Sequence, residues 1–106
     1  MSKLTYLYIR TTLTCGVTDL SGIGRGCPSL TSLIVHGCKN VTGLDEIGRG
    51  CSKLTKLDIS ETGVTDLSEI GRGCPDLEEL NLSHVRFTDI NEIARGCRKL
   101  KSLDLQ

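Results

Sequence analysis

Hydrophobic positions recur along the chain at a nearly constant interval. Four cysteines lie 24, 23 and 23 residues apart, and three residues after each one a leucine opens the pattern L-x-x-L-x-[LIV]. A fixed period in this range predicts a repeat architecture rather than an ordinary globular domain. The cysteines are Cys27, Cys51, Cys74 and Cys97; the leucine patterns begin at Leu30, Leu54, Leu77 and Leu100, with one more at Leu4. We therefore expect one array over residues 1–106, with four repeats of 23–26 residues, a final strand and no evident caps.

Each repeat divides into two halves with different periodicity. In the first half apolar and polar residues alternate, as around Leu57 and Ile59, which predicts a half-buried strand. In the second half Leu67, Ile70 and Cys74 have helical spacing, which predicts a helix of about two turns.

The ends of these short helices carry their own signals. Asp66 and Glu69 form a capping-box-like start, and Gly73 stands where a left-handed residue commonly ends a helix. One helical column contains only small residues, which indicates close packing between helices, because glycine within a helix is otherwise unfavourable. Its members are Gly24, Gly48, Gly71 and Ala94.

One strand and one short helix cannot bury their apolar faces alone, whereas stacked copies share a continuous core. The pattern therefore predicts an α/β fold built as a curved, right-handed solenoid. Parallel strands would line its concave face, and short helices its convex face.

The second repeat contains a more specific motif. Residues 27–42 read CPSLTSLIVHGCKNVT, which resembles the cysteine-containing class of leucine-rich repeats, C-x-x-L-x-x-L-x-L-x-x-C-x-x-[IV]-T. The resemblance implies a leucine-rich repeat solenoid that grips a partner protein, as in the substrate-recognition domains of F-box ubiquitin ligases. The chain departs from this class in its shorter repeats and in Thr62 and Val85, which replace the second cysteine. No F-box-like segment precedes Leu4.

Charge and composition narrow the classes of partner. Lysine and arginine total 13, and aspartate and glutamate also total 13, so no global field would attract nucleic acid or an anionic membrane. No apolar run approaches the ~18 residues of a membrane span, and Met1 is not followed by a secretory apolar region. We expect no nucleic-acid or membrane partner and a cytoplasmic, reducing location.

The six cysteines allow three interpretations. The recurrent four are predicted to form a ladder of buried free thiols, although strand spacing would also permit disulfides. A zinc site built from His36, Cys38 and Cys15 is disfavoured because it lacks the C-x-x-C spacing of closed sites. With two histidines on different repeats and no phosphate-binding loop, we expect no enzyme activity, no cofactor and no metal.

An arginine also recurs once per helix, which in isolation could form a phosphate-binding row. Three of these arginines follow a glutamate by three residues, and this spacing favours exposed ion pairs within a self-neutralised helix face. The arginines are Arg25, Arg49, Arg72 and Arg95, and the glutamates are Glu46, Glu69 and Glu92.

The outward strand positions differ from repeat to repeat and are therefore the candidate binding surface. Their first part has residue types enriched at binding hot spots, and later repeats present acids, so a protein partner with an apolar centre and a basic flank would fit. The predicted contact residues are Tyr6, Tyr8, Arg10, Ile34, His36, Asp58 and Glu79.

A second hypothesis comes from the ends of the array. Both terminal strands would present unpaired backbone edges and apolar side chains. This hypothesis takes the chain as a self-assembling scaffold unit, or a truncated or designed array, that stacks head to tail as a homo-oligomer. A longer strand-to-helix connection, Thr11 to Thr14, is an additional candidate for a protruding loop.

Overall fold

A computed structural model describes residues 3–10, 17–37 and 39–106. The candidate loop Thr11 to Thr14, the zinc candidates Cys15 and Cys38, and Met1 lie outside the described residues. The strands are β1 (Tyr6–Arg10), β2 (Val17–Asp19), β3 (Ser32–His36), β4 (Asn40–Thr42), β5 (Lys56–Asp58), β6 (Glu79–Asn81) and β7 (Ser102–Asp104). The helices are α1 (Ser21–Gly26), α2 (Leu44–Gly50), α3 (Ser68–Gly73) and α4 (Asn91–Gly96).

The main sheet pairs equivalent positions of successive repeats. It is parallel, with the strand order β1-β3-β5-β6-β7, and its register aligns one leucine from every strand. The aligned leucines are Leu7, Leu33, Leu57, Leu80 and Leu103. The helices pack in chain order, α1 on α2, α2 on α3 and α3 on α4. The predicted α/β repeat fold with parallel strands is thereby confirmed.

The alternation within each strand separates a buried face from an outward face. In β3, Leu33 and Val35 are fully buried, while the residues between and beside them are half-buried. The core contains the same leucine, isoleucine and valine positions from repeat to repeat. At the last strand this burial fails: Leu103 is 40% exposed and Leu105 is 50% exposed.

The recurrent cysteines form the predicted thiol ladder, which comprises Cys27, Cys51, Cys74 and Cys97. All of them are buried free thiols, and each follows the last residue of a helix. The thiol of one cysteine donates to the carbonyl of the preceding one, with S···O distances of 3.5, 3.6 and 3.4 Å along the ladder. Burial raises the pKa of Cys51 to about 11 and that of Cys74 to about 12. These thiols therefore fill the core between repeats.

Two glycine columns explain how the helices pack so closely, and they correct one prediction. Gly73 is not left-handed; it is the last helical residue, and the following Cys74 has φ −121°. An ideal Cβ at Gly73 would overlap the carbonyl oxygen of Gly48 in the preceding helix. Glycine is required here by close backbone approach rather than by a left-handed turn. The two columns, the glycine ladder, are Gly24, Gly48 and Gly71, and Gly50, Gly73 and Gly96.

The predicted capping box is also wrong in part. Asp66 does act at the helix start, since its carboxylate accepts a hydrogen bond of 2.9 Å from the N–H of Ser68. Leu67, however, is the N-cap residue and makes no side-chain cap, and Glu69 turns towards arginines instead. Hydrogen bonds from the side chain and the backbone N–H of Ser68 lower the pKa of Asp66.

A second, two-stranded parallel sheet was not predicted. It pairs β2 with β4 in the strand-to-helix connections of the first two repeats. In the later repeats this pairing is reduced to contacts such as the 2.9 Å bond from the N–H of Thr88 to the carbonyl of Thr65.

Candidate functional site

The seven predicted contact residues all lie on the strands of the main sheet, and the six whose side chains the structure describes are on the face opposite the core leucines. Tyr6 and Tyr8 are 55% and 49% exposed, Glu79 is exposed, and Ile34, His36 and Asp58 are half-buried. Arg10 ends β1, and its side chain lies outside the described part of the structure. We call this outward side of the main sheet the sheet-face surface.

The register arranges the sheet-face surface in rows that cross the strands. One row runs Tyr8, Ile34, Asp58, Asn81, Asp104, so that an aromatic and an aliphatic side chain are neighbours at one end and acids follow at the other. The next row runs Tyr6, Ser32, Lys56, Glu79, Ser102. Strand pairing therefore brings Tyr8 and Ile34 together, and it separates both from Glu79.

The acidic part of this surface is held in place by its own hydrogen bonds. Asp58 accepts a 2.9 Å bond from the N–H of Ser60, and its other oxygen lies 3.4 Å from the side-chain nitrogen of Asn81. Asn81 accepts bonds from the N–H and the hydroxyl of Ser83, at 2.9 and 2.7 Å. These contacts give Asp58 a structural role at the end of its strand, which the sequence pattern alone had not indicated.

His36 marks the border between the sheet-face surface and the next turn. Its Nδ1 lies 2.8 Å from the hydroxyl of Ser60, and its Nε2 lies 3.3 Å from a carboxylate oxygen of Glu61. These two contacts, made to successive residues of the neighbouring repeat, fix the orientation of the ring.

A polar groove, which the sequence pattern did not predict, lies beyond the carboxyl ends of the strands. It has a volume of about 620 Å³ and draws residues from the second, third and fourth repeats. We call it the turn groove, and its lining residues are Gly37, Lys39, Glu61, Thr62, Gly63, Val64, Thr65, His84 and Arg86. Sequence reasoning missed it because Gly63 stands between Lys39 and Arg86 in the repeat series, so no basic residue recurs from one repeat to the next.

Two non-glycine residues of the turn groove have a left-handed backbone. Glu61 has φ 56° and His84 has φ 59°, and both occupy the position that Gly37, with φ 85°, fills in the second repeat. A non-glycine residue in this conformation is unusual, and such strain is common at functional sites. The comparison with Gly37 was the sequence signal that could have identified these two turns.

The helix side of the molecule is neutralised internally, as predicted. Arg49, Arg72 and Arg95 pair with the glutamate three residues earlier at 2.9, 2.9 and 3.2 Å. Two of these arginines also reach the glutamate of the following helix, at 3.8 Å for Arg49 and 3.5 Å for Arg72. Arg49 and Arg72 therefore link neighbouring helices instead of presenting free charge.

The part of the chain that the structure describes contains no candidate metal-binding cluster. Within residues 3–10, 17–37 and 39–106, no group of three or more histidine, cysteine, aspartate or glutamate side chains could hold a metal ion. The ladder cysteines instead donate to backbone carbonyls, and burial raises the pKa of Cys74 to about 12, far from a reactive thiolate.

Comparison with known families identifies the repeats in the second half of the chain. The family profile described as "Leucine Rich repeats (2 copies)" matches residues 52–95, which contain β5, α3, β6 and all but the last residue of α4. Residues 52–95 are therefore leucine-rich repeats. Leucine-rich repeat domains generally mediate protein–protein interactions and are generally not enzymes. A search of curated proteins finds no significant match to this chain.

The helices of the chain are short. Among the residues that the structure describes, no helix is long and apolar enough to cross a bilayer.

Proposed function

We propose that this leucine-rich repeat chain is a protein-recognition module that binds its partner through the sheet-face surface. In this proposal the sheet-face surface is the concave side of a right-handed solenoid over residues 1–106, of the cysteine-containing class, in a reducing cytoplasmic environment. The partner is a protein, and catalysis, a cofactor, nucleic acid and a membrane play no part.

The observation that carries the proposal is the pairing of Tyr8 with Ile34 beside the exposed Tyr6. Exposed tyrosine next to an aliphatic side chain offers a large contact area at a low cost in side-chain entropy, as at many interface hot spots. Arg10 and His36 are register partners at the end of the same strands. These residues form the proposed anchor region.

The acidic residues define what the partner should look like. Asp58 follows Ile34 in the row, and Glu79 follows Lys56 in the next row. A partner segment with apolar residues over Tyr8 and Ile34 and a basic flank towards Asp58 and Glu79 would complement this order.

Selection from a displayed peptide library on the immobilised protein tests the proposal. We expect enriched peptides to combine an apolar centre with a basic flank and to lose about tenfold or more in affinity for Tyr8→Ala/Ile34→Ala. Leu105→Ala is the matched control, since Leu105 is as exposed as Tyr8 but lies beyond the end of β7, away from the proposed anchor region. Selected peptides that bind the double variant and the control alike would reject this surface, provided that circular dichroism shows both variants folded.

The exposed Leu103 and Leu105 favour a second candidate function, the head-to-tail self-assembly of a scaffold. Against close stacking, Ala94 carries a methyl group in the column where an ideal Cβ at Gly71 would overlap the backbone of the next helix. Sedimentation velocity over a wide concentration range, in reducing buffer, tests this candidate: concentration-dependent growth supports stacking, and a monomer throughout rejects it.

A further inference from the structure

The turn groove is formed by residues of three repeats, and its lining includes two basic side chains, Lys39 and Arg86. Its volume of about 620 Å³ falls within the range of ligand-binding clefts. It lies at the carboxyl ends of parallel strands, where open α/β sheets commonly bind ligands. Its side chains determine the class of ligand that it would recognise.

Two cations of the turn groove differ from most basic residues of the helix side in their ion pairing. Lys39 and Arg86 make no ion pair with any residue that the structure describes, whereas Arg49, Arg72 and Lys99 all do. Among the described lining residues, Glu61 is the acid, and its carboxylate faces His36 at 3.3 Å. The groove therefore has an excess of positive charge in a protein that is neutral overall.

Two of the uncharged polar groups of the groove are already used by the fold. The N–H of Gly37 donates to the carbonyl of Ser60 at 3.2 Å, and the hydroxyl of Thr62 donates to the carbonyl of Ile59 at 2.7 Å. Recognition would consequently come from the side-chain charges, which attract anionic groups without demanding one fixed geometry.

The spacing of the two cations argues for a ligand with two separated charges. Lys39 belongs to the second repeat and Arg86 to the fourth, and strands in a sheet are about 4.8 Å apart, so the two backbone positions lie about 10 Å from each other. Between them Gly63 has no side chain to fill the groove. An ideal Cβ at Gly63 would overlap the carbonyl oxygen of Lys39, so this glycine also fixes the backbone beneath that lysine.

We propose that the turn groove binds an acidic peptide segment, with one carboxylate on Lys39 and a second on Arg86. In a polyproline II segment, residues three apart lie on the same side about 9 Å from each other, which matches the separation of the two backbone positions. A single small oxyanion would occupy little of a groove this size. The site is distinct from the sheet-face surface and does not depend on it.

The probe is a terminally blocked peptide with two glutamates separated by two prolines, titrated into the ¹⁵N-labelled full chain at low salt. We expect amide shifts at Gly37, Gly63 and Thr65, and a loss of about tenfold or more in affinity for Lys39→Gln/Arg86→Gln. Lys53→Gln/Arg98→Gln is the matched control: it removes the same charge from two exposed residues outside the groove, and its affinity should stay within about twofold.

The remaining outcomes separate this proposal from its alternatives. Equal binding to both double variants, or shifts outside the turn groove, would overturn it. Inorganic phosphate that shifts the same amides where the glutamate peptide does not would also overturn it, in favour of a free-anion site. Tyr8→Ala/Ile34→Ala should bind the acidic peptide unchanged, so failure of the sheet-face surface leaves this result intact. Dispersed spectra for every variant confirm that each is folded.

Discussion

The helix side and the turn groove use the same basic residue types for different ends. On the helix side Arg49, Arg72 and Arg95 recur once per repeat, and each has a glutamate within 3.2 Å. In the turn groove Lys39 and Arg86 are separated by Gly63 of the intervening repeat, and neither makes an ion pair with a described residue. These three recurring arginines have partners inside the array, whereas the two cations of the turn groove are available to a ligand.

Uncharged residues also differ between the two sides of the molecule. Glycine and cysteine recur on the helix side because each repeat presses its backbone against the next one. On the sheet-face surface, Tyr8, Ile34 and Asp58 occupy one row and share no chemistry. Four experiments can break or sharpen this distinction, and they are ordered by the size of the expected effect.

The largest expected effect concerns the thiol ladder. In a Cys15→Ser/Cys38→Ser background, the native protein at pH 8 should react with a disulfide reagent about a hundredfold or more slowly than the same protein in denaturant. Burial raises the pKa of Cys51 to about 11 and that of Cys74 to about 12, so little thiolate exists at that pH. Rapid labelling of the native protein would show that the ladder is open to solvent.

The glycine ladder provides the next comparison. Gly71→Ala should lower the free energy of unfolding by about 1–3 kcal/mol, because a Cβ there would overlap the backbone of Glu92. Gly22→Ala is the same substitution in α1, where nothing lies within 4 Å of the new atom. There the change should raise stability by about 0.5–1 kcal/mol, since alanine favours helix. Urea unfolding measures both, and similar values for the two variants would contradict the packing role.

The strained turn at His84 tests whether the turn groove contains residues that lower the free energy of unfolding. His84→Gly should raise the free energy of unfolding by about 0.5–1 kcal/mol, because φ 59° suits glycine. Arg86→Gly, two residues further on and outside the left-handed region, should lower it. Thermal unfolding of both variants distinguishes them, and a loss of stability in His84→Gly would mean that the side chain supports the turn.

The smallest effect compares the two kinds of arginine directly. Arg72→Gln should cost a few tenths of a kcal/mol, about what an exposed helical ion pair contributes, because it pairs with Glu69 at 2.9 Å. Arg86→Gln should leave the free energy of unfolding unchanged within error. Urea unfolding measures both variants. A larger loss of unfolding free energy for Arg86→Gln than for Arg72→Gln would contradict the difference between the paired arginines of the helix side and the unpaired cations of the turn groove.

Most of the fold follows from residues that recur. The strands, the helices, the thiol ladder and the arginine pairs were predictable because each is encoded several times at one period. Gly73 was misread because a helix-terminal glycine can serve either a left-handed turn or a close backbone contact. The distinction depends on Gly48 in the neighbouring repeat, which local sequence does not specify.

The candidate sites were less predictable for the same reason. The outward positions of Tyr8 and Ile34 follow from alternation, but the hydrogen bonds that hold Asp58 depend on Ser60 and Asn81. The turn groove depends on connections of different lengths, which bring Lys39 and Arg86 into one cleft across an intervening repeat. Single positions without a periodic counterpart carry no pattern from which such a cleft could be derived.

The most direct test of the account is to map a selected partner peptide on the ¹⁵N-labelled protein by its amide shifts. If the sheet-face surface binds the partner, we expect the largest shifts in β1 and β3, around Tyr8 and Ile34, and no shifts for the amides of α1 to α4. Shifts concentrated on the helices that carry Arg49, Arg72 and Arg95 would contradict it, because the recurring residues would then be the ones that bind.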